Sequence, residues 1–238
     1  MSARVAPLLL LACGCSVWYG ERPECPVPGL REIAVLPVKG APQGHETRFG
    51  AILAGELIQF PGITRALRPS EVAPVLPGRT FDRHSIKDIR ELAKDLRVDA
   101  VLVPELYEFD MHEPARAEIR CALVMSSAGT QGPGFVLDLA SQGAIPRHGT
   151  AAIPGVVWVE RIYDAESHAT AQALTIYAWR NEAETTGLSR TERVERVGTG
   201  FFRFVSEQTI RELFANLQKK ADDDRSNECD RKLVYRQG

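Results

Sequence analysis

The sequence predicts a single α/β domain, of the α/β (α+β) kind, in which a mixed sheet lies between helices in three layers. In the first half of the chain, short apolar runs alternate with amphipathic helical segments, an order typical of parallel strand pairing. In the second half, strand candidates follow one another without long helical intervals, which favours antiparallel pairing. A composition of 44% hydrophobic and 25% charged residues supplies a core for this one domain, which we expect over residues 31–220.

The first half of the chain predicts three strands and two helices. Residues 33–38 form a continuous apolar run, as expected of a strand that is buried on both faces. Residues 46–60 repeat apolar side chains at helical spacing, and Ser85 begins a capping signature for a second amphipathic helix. A short strand is expected at residues 63–68 and a longer one at residues 99–109.

The second half predicts three further strands and a final helix. The strands are expected at residues 117–125, 156–163 and 170–179, and the helix is expected around residues 204–217. An insertion rich in Gly, Pro and Ala separates the first two of these strands, at residues 126–155. A connection of that length is expected to be mobile or to serve a function. Residues 221–238 should form a polar tail.

The beginning of the chain has the layout of an export signal. Arg4 precedes an apolar stretch that is too short to cross a bilayer, where about 20 apolar residues are needed. The sequence Leu10-Leu11-Ala12-Cys13 resembles a bacterial lipobox, whose cysteine receives a diacylglyceryl group and becomes the new amino terminus. Ala12-Cys13-Gly14-Cys15 is a second, overlapping register. We therefore predict a lipoprotein signal peptide at residues 1–14 with Cys15 lipidated or, alternatively, at residues 1–12 with Cys13 lipidated.

Two other interpretations of this segment stay open. An ordinary secretory signal could be cleaved after Gly14 or further on, and the Cys13/Cys15 pair could be a metal or redox site. Under the lipoprotein interpretation, residues 15–30, which contain several Pro and Gly, form a tether between bilayer and domain. Neither Gly14 nor Ser16 is the aspartate that often marks retention at the inner membrane. We therefore expect an outer-membrane protein that faces the periplasm.

Charge and cysteine content narrow the class of partner. The 29 Lys and Arg residues against 31 Asp and Glu give a formal net charge of -2, so nucleic acid is not expected as a partner. The expected partners are the membrane, through an anchor that carries fatty acids such as palmitate, and other envelope proteins or further copies of the chain. In an oxidising envelope, Cys25 and Cys229 could form a disulfide between the two ends of the domain. Cys121 leaves two other pairings open.

Four segments, together with the order of the elements, carry a resemblance to a known family. They are residues 33–38, 50–57, 89–103 and 159–166. They resemble the periplasmic α/β domain of the curli-secretion lipoprotein family, and the order is also similar to that of the amino-terminal domain of the Tol translocation protein. The resemblance implies an envelope scaffold or a secretion component. A curli-type pore is not expected, because the insertion lacks alternating hairpin strands of about 9 to 11 residues.

Residues suited to catalysis or metal binding are sparse. Asp110, His112 and Glu113 form the densest local group of metal-ligand residue types, and Asp110 and His112 would share one face of an extended strand. No further ligand accompanies them at a spacing typical of a zinc site. Arg83 and His84 fit an exposed approach to a helix. We therefore expect no catalytic residue, no bound metal and no cofactor.

The function expected from these patterns is that of a non-enzymatic, membrane-anchored scaffold or an accessory in assembly or secretion. It would dock other envelope proteins through the insertion or through an exposed edge of the sheet. The alternative is an exported hydrolase or metal-dependent enzyme that uses Asp110, His112 and Glu113.

Overall fold

The computed structural model describes residues 21–76, 81–112, 114–126, 155–181 and 198–235, of which residues 198 and 223–235 are described by their backbone alone. The predicted signal peptide with Cys13 and Cys15, nearly all of the predicted insertion, and Glu113 lie outside the described residues. None of the described helices combines the length and the apolar character that a bilayer crossing requires.

The described residues contain five strands and five α-helices. The strands are β1 (Glu32–Val35), β2 (Arg65–Leu67), β3 (Ala100–Asp110), β4 (Arg116–Met125) and β5 (Val156–Asp164). The helices are α1 (Glu46–Leu57), α2 (Pro69–Val72), α3 (Ile86–Leu96), α4 (His168–Asn181) and α5 (Gly198–Tyr235). A single 3-10 turn (Ala73–Val75) follows α2 directly.

The strands form one mixed sheet in the order β2-β1-β3-β4-β5. β1 lies between β2 and β3 and pairs in parallel with both, because helices separate these strands along the chain. β3, β4 and β5 pair antiparallel in succession. The predicted mixture of parallel and antiparallel pairing is therefore confirmed, and β2 and β5 are the two edge strands of the described sheet.

Helices pack on both faces of the sheet, so the predicted three-layer α/β domain is confirmed. α1, α4 and α5 cover one face, and α2 and α3 lie on the other. We call the first the phenylalanine face, because six buried rings fill the space between its helices and the sheet: Phe49, Phe60, Phe201, Phe202, Phe204 and Phe214. We call the second the α3 face, where aliphatic side chains of α3 meet those of β1, β3 and β4.

The second predicted helix, α3, forms for the reasons that its sequence indicates. The side chain of Ser85 accepts a hydrogen bond from the backbone N–H of Asp88 at 3.3 Å, which satisfies one of the first free donors of the helix. Ile86, Ile89 and Leu92 are buried against the sheet as a single stripe. Arg97 ends the helix in the left-handed conformation, with φ of 54°.

The strand predicted at residues 170–179 is wrong, because this segment belongs to helix α4. Its buried side chains recur every three or four residues, as on one face of a helix: Thr170, Ala173, Leu174, Tyr177 and Ala178. The side chain of Ser167 accepts a hydrogen bond from the backbone N–H of Thr170 at 3.2 Å and caps the first turn. Threonine, isoleucine, tyrosine and tryptophan favour strands, but packing against the phenylalanine face overrides that preference.

The final helix is confirmed and is longer than the sequence pattern indicates. α5 has 38 residues, a length of about 57 Å at 1.5 Å per residue. Ile210, Leu213 and Leu217 are buried against the phenylalanine face, as the apolar spacing predicts. The helix continues through Asp222, so the described part of the predicted polar tail has helical backbone.

The segment predicted as a tether packs against the domain over its second half. Residues 21–30 contain no helix or strand, as predicted for this segment. Val27 and Leu30 nevertheless lie in the core of the phenylalanine face, with 3% and 1% of their surface exposed. The backbone N–H of Cys25 donates to the carbonyl oxygen of Pro61 at 2.9 Å. The chain is therefore attached to the domain well before β1 begins.

Candidate functional site

The structure places Asp110 and His112 together in a turn that follows β3. The backbone N–H of His112 donates to Asp110 Oδ1 at 2.8 Å, and His112 Nδ1 lies 2.6 Å from the same oxygen. These hydrogen bonds lower the pKa of Asp110, and both side chains are exposed. Across the part of the chain that the structure describes, no three histidine, cysteine or acidic side chains are grouped as metal ligands.

The cysteines predicted to form a disulfide are described only in part. Cys25 is half-buried and forms no disulfide with another described cysteine, and burial raises the pKa of its thiol to about 11. Cys121 is fully buried in β4, and desolvation raises its pKa as well. The side chain of Cys229 lies outside the described residues, so the pairing of Cys25 with Cys229 stays a prediction.

Arg22 fixes the amino-terminal segment to two helices. Its Nη2 atom lies 3.2 Å from Glu207 Oε2 on α5 and 3.4 Å from Glu56 Oε2 on α1. Its guanidinium carbon also lies 5.9 Å from the centre of the Phe60 ring, within the range of a cation–π contact. One side chain therefore connects the start of the described chain to both helices.

Glu207 is the centre of a buried charge network that joins four segments of the chain. Its side chain is fully buried, and Oε1 accepts hydrogen bonds from Arg180 on α4 and from Arg211 Nε at 2.8 Å. Arg211 Nη1 also donates to the backbone carbonyl of Glu21 at 2.8 Å. The arginines on three sides compensate the buried carboxylate, which would otherwise be strongly unfavourable.

Beside this network lies an open cavity of about 490 Å³, which we call the arginine groove. Among the described residues, its charged lining consists of Arg22, Arg48, Arg68 and Arg203 against a single carboxylate, Glu56. Burial raises the pKa of Glu56, although Arg22 acts in the opposite direction. The groove therefore carries an excess of positive charge in a protein whose overall formal charge is negative.

A second buried carboxylate, Glu105 on β3, lies on the α3 face. Its Oε1 atom is 3.6 Å from Lys39 Nζ, 3.5 Å from His84 Nε2 and 3.7 Å from Arg83 Nε. The Tyr107 hydroxyl donates to Oε2 at 3.3 Å. The sequence suggested that Arg83 and His84 would be an exposed approach to α3, but about four fifths of each side chain is covered because both contact Glu105.

Gly40 allows the chain that carries Lys39 to approach β3 closely. The backbone N–H of Leu106 donates to the carbonyl oxygen of Lys39 at 2.7 Å. A Cβ atom on Gly40 would lie 2.0 Å from the carbonyl oxygen of Leu106, and the φ angle of Gly40 is +79°. Only glycine fits both conditions, so this residue positions Lys39 against Glu105.

The α3 face of the sheet is covered by apolar packing over only part of its area. The aliphatic cluster beneath α3 reaches Val103 on β3 and Ala122 on β4, with the partly buried Trp158 on β5 at its border. Further along, Tyr107 is 50% exposed and Ile162 is 52% exposed. We call this far part of the α3 face, from Tyr107 across Glu118 to Ile162, the open half-face. β5 pairs with a described strand on one side only.

Neither charged region could be recognised in the sequence. The arginines of the groove come from the amino-terminal segment, from α1, from the residue before α2 and from α5. Glu105 meets Lys39 and His84 only after β3 pairs with β1 and the chain before α3 folds back over the sheet. No local spacing connects these residues, so only the folded backbone brings them together.

No protein-family model matches this chain, and no curated protein matches it. The solved structures that are similar to it include two dodecamers of PelC from Paraburkholderia phytofirmans. One, which carries a leucine-to-methionine substitution, is 13% identical over 62% of this chain and 81% of that chain, with a TM-score of 0.32. The other is 10% identical over 64% and 85%, with a TM-score of 0.31. The function is therefore argued from this chain's own residues.

Proposed function

We propose that this protein is a membrane-anchored lipoprotein of the bacterial envelope, and that it acts as a non-enzymatic scaffold or an assembly and secretion accessory. The observation that carries the proposal is the attachment of residues 21–30 to the domain, a few residues after the predicted acylation site. Seven residue steps separate Cys15 from Arg22, a reach of at most about 25 Å in a fully extended chain. Such an anchor holds the domain beside the membrane surface.

The open half-face is the surface that we assign to docking. It combines half-exposed apolar side chains with charged ones, as protein interfaces do at their borders. The adjacent β5 is a nine-residue edge strand, and an edge strand can accept a further strand from a partner. Other envelope proteins or a second copy of the chain are the partners that suit this surface.

Acylation is tested by expressing the full chain with Cys13→Ser, with Cys15→Ser and with both substitutions. Cells are fed a labelled palmitate, and the membrane and soluble fractions are compared. The acylated cysteine is the one whose substitution abolishes the label and releases the protein from the membrane. A chain that is never labelled, or that keeps its label in the double variant, contradicts the lipid anchor.

Docking is tested by placing a photo-crosslinking amino acid at Ile162 in intact cells. The matched control carries the same group at the exposed Lys87 of α3, on the other part of the α3 face. Discrete crosslinked products from position 162 that are absent from position 87 identify the partner by mass spectrometry. Equal products from both positions contradict a specific docking role for the open half-face.

A further inference from the structure

We propose that the arginine groove binds the phosphate groups of anionic membrane lipids and so orients the anchored domain. The position of the groove at the membrane rests on the proposed function, whereas its chemistry rests on the described side chains alone. Three of its arginines are exposed, namely Arg48, Arg68 and Arg203. None of the three forms an ion pair with a described carboxylate. Their charges are therefore available to a ligand.

The chemistry of the groove favours phosphate. A guanidinium group presents parallel N–H donors that match two oxygens of one phosphate. Several such groups that line one cavity can therefore contact the same anion from two or three sides. A cavity of about 490 Å³ accommodates a lipid headgroup phosphate with its neighbouring glycerol. Gly55 on the lining turn of α1 has nothing within 4 Å of the position of a Cβ atom, so the floor of the groove is open to a ligand.

The location of the groove favours a membrane lipid over a dissolved anion. Arg22 belongs both to the groove and to the segment that follows the predicted acylation site. An anchor at Cys15 keeps Arg22 within about 25 Å of the bilayer surface. Electrostatic attraction between exposed charges is screened within about 8 Å at physiological salt, and a tether of this length lets the groove come within that distance of the headgroups.

The charged cluster on the α3 face does not offer an equivalent site. Lys39, Arg83 and His84 already surround the carboxylate of Glu105, which occupies the position that an anionic ligand would take. In the arginine groove, the one described carboxylate of the lining, Glu56, is paired with Arg22, and none of the three exposed arginines forms an ion pair with a described carboxylate. The surplus of positive charge distinguishes the groove from the cluster.

Vesicle binding of a full chain without acyl groups tests the proposal. The chain carries Cys13→Ser and Cys15→Ser, and sedimentation measures its binding to phosphatidylcholine vesicles with and without phosphatidylglycerol. Arg48→Gln with Arg203→Gln should weaken binding to the anionic vesicles about 25-fold, which corresponds to about fivefold per arginine. The matched control, Lys87→Gln with Arg97→Gln, removes the same charge from α3 on the other side of the sheet and should leave binding nearly unchanged.

Equal weakening by both double variants, or no weakening by the groove variant, overturns the proposal. Gln59→Glu provides an independent check, because it adds a negative charge to the groove lining at an exposed position and should weaken binding about fivefold. Inorganic phosphate presents the same oxygens to the guanidinium groups, so at an ionic strength matched with chloride it should displace the vesicles only at concentrations well above that of the lipid phosphate. Displacement at or below the lipid phosphate concentration would assign the groove to a free anion and overturn the lipid assignment.

The vesicle-binding experiment and the palmitate-labelling experiment can fail independently of each other. Groove-dependent binding without palmitate labelling refutes the anchor and leaves the lipid site standing. Labelling without groove-dependent binding confirms the anchor and refutes the lipid site. Far-ultraviolet circular dichroism and urea unfolding of every variant establish that the substitutions at these exposed positions leave the fold intact.

Discussion

On the phenylalanine face, helices cover β3, β4 and β5 out to the strand ends that lie farthest from α3. On the α3 face, α2 and α3 leave the same strand ends uncovered. On the first face, Phe109, Ala117 and Tyr163 at the strand ends still belong to the core. On the second, apolar packing ends near Ala122, and Ile162 is half exposed. The first face therefore supplies most of the apolar burial that stabilises the domain, and the second retains surface for contacts with partners.

The buried carboxylates of the two faces differ in the same way. Glu207 is fully buried among arginines that themselves have little exposure, so its network acts as part of the core. Glu105 is 11% exposed, and its partner Lys39 is 56% exposed. The ion pair of Glu105 with Lys39 is therefore weakened by solvent, whereas every cation paired with Glu207 is at least three quarters covered.

Replacing one apolar side chain on each face tests the comparison most strongly. Phe202 is fully buried, and its ring stacks on that of Phe49 with centroids 4.2 Å apart. Phe202→Ala should lower the free energy of unfolding by about 4 kcal/mol, because it leaves a cavity in the core. Ile162→Ala on the open half-face should change it by less than about 0.5 kcal/mol. Urea unfolding measures both, and similar losses would show that the open half-face is packed.

Removing each buried carboxylate in turn compares how much the ion pairs of Glu207 and those of Glu105 stabilise the fold. Glu207→Ala leaves Arg22, Arg180 and Arg211 without their shared counter-charge and should cost about 3 kcal/mol in the free energy of unfolding. Glu105→Ala should cost about 1 kcal/mol, because solvent reaches Lys39. Chemical denaturation at neutral pH provides the measurement. A larger loss for Glu105→Ala would reverse the assigned order of the two clusters.

Two glycines of similar backbone conformation between β1 and α1, Gly40 and Gly44, separate the effect of a steric clash from the effect of the backbone conformation. Gly40→Ala should cost about 2 kcal/mol or more, because the new Cβ would meet the carbonyl oxygen of Leu106. Gly44 has φ of +80° and open space around its Cβ position, so Gly44→Ala should cost only about 1 kcal/mol. Thermal unfolding compares the pair, and equal shifts would disprove close contact with β3.

The smallest expected effect is the pH-dependent change in the free energy of unfolding when Glu56 is replaced. This residue lies at the border of the phenylalanine face and the arginine groove. Its pKa is raised by burial, so the folded state favours the neutral carboxyl group. The stability that the neutral carboxyl group contributes is fully present below the pKa of Glu56 in the unfolded chain. It is lost as pH rises through the pKa of Glu56 in the folded protein. Glu56→Gln should therefore be more stable than the wild type at neutral pH, by less than about 1 kcal/mol, and the difference should shrink at acidic pH.

Urea unfolding at a series of pH values measures this difference, with the exposed Glu91→Gln as the control for loss of one charge. A Glu56→Gln advantage that grows on acidification would contradict the raised pKa. So would an equal profile for the two variants, because Glu91 lies on the outer surface of α3.

Most of the fold was predictable because local and tertiary preferences agree. In α3, the cap at Ser85 and the stripe of Ile86, Ile89 and Leu92 indicate the same helix and the same buried face. In α4 they disagree, because Thr175, Ile176 and Trp179 favour a strand while burial follows helical spacing. A search for that spacing after Ser167 would have found the helix.

The candidate sites were less predictable, because their residues meet only through long-range packing. Asp110 and His112 are neighbours in sequence and were singled out for that reason, yet the structure shows a local turn. Arg22 and Arg203 are far apart in sequence and line one groove. Sequence spacing detects sites on one helix or strand and does not detect sites assembled between several.

The packing of residues 21–30 also determines how the domain would respond to mechanical force. A pull on the amino terminus is resisted first by the ion pair of Arg22 with Glu207 and the hydrogen bond from Cys25 to Pro61. Val27 and Leu30 must then leave the core before tension reaches β1, an inner strand of the sheet. The segment thus forms a joint that would distribute tension from the proposed membrane anchor over α1 and α5 and spare the sheet.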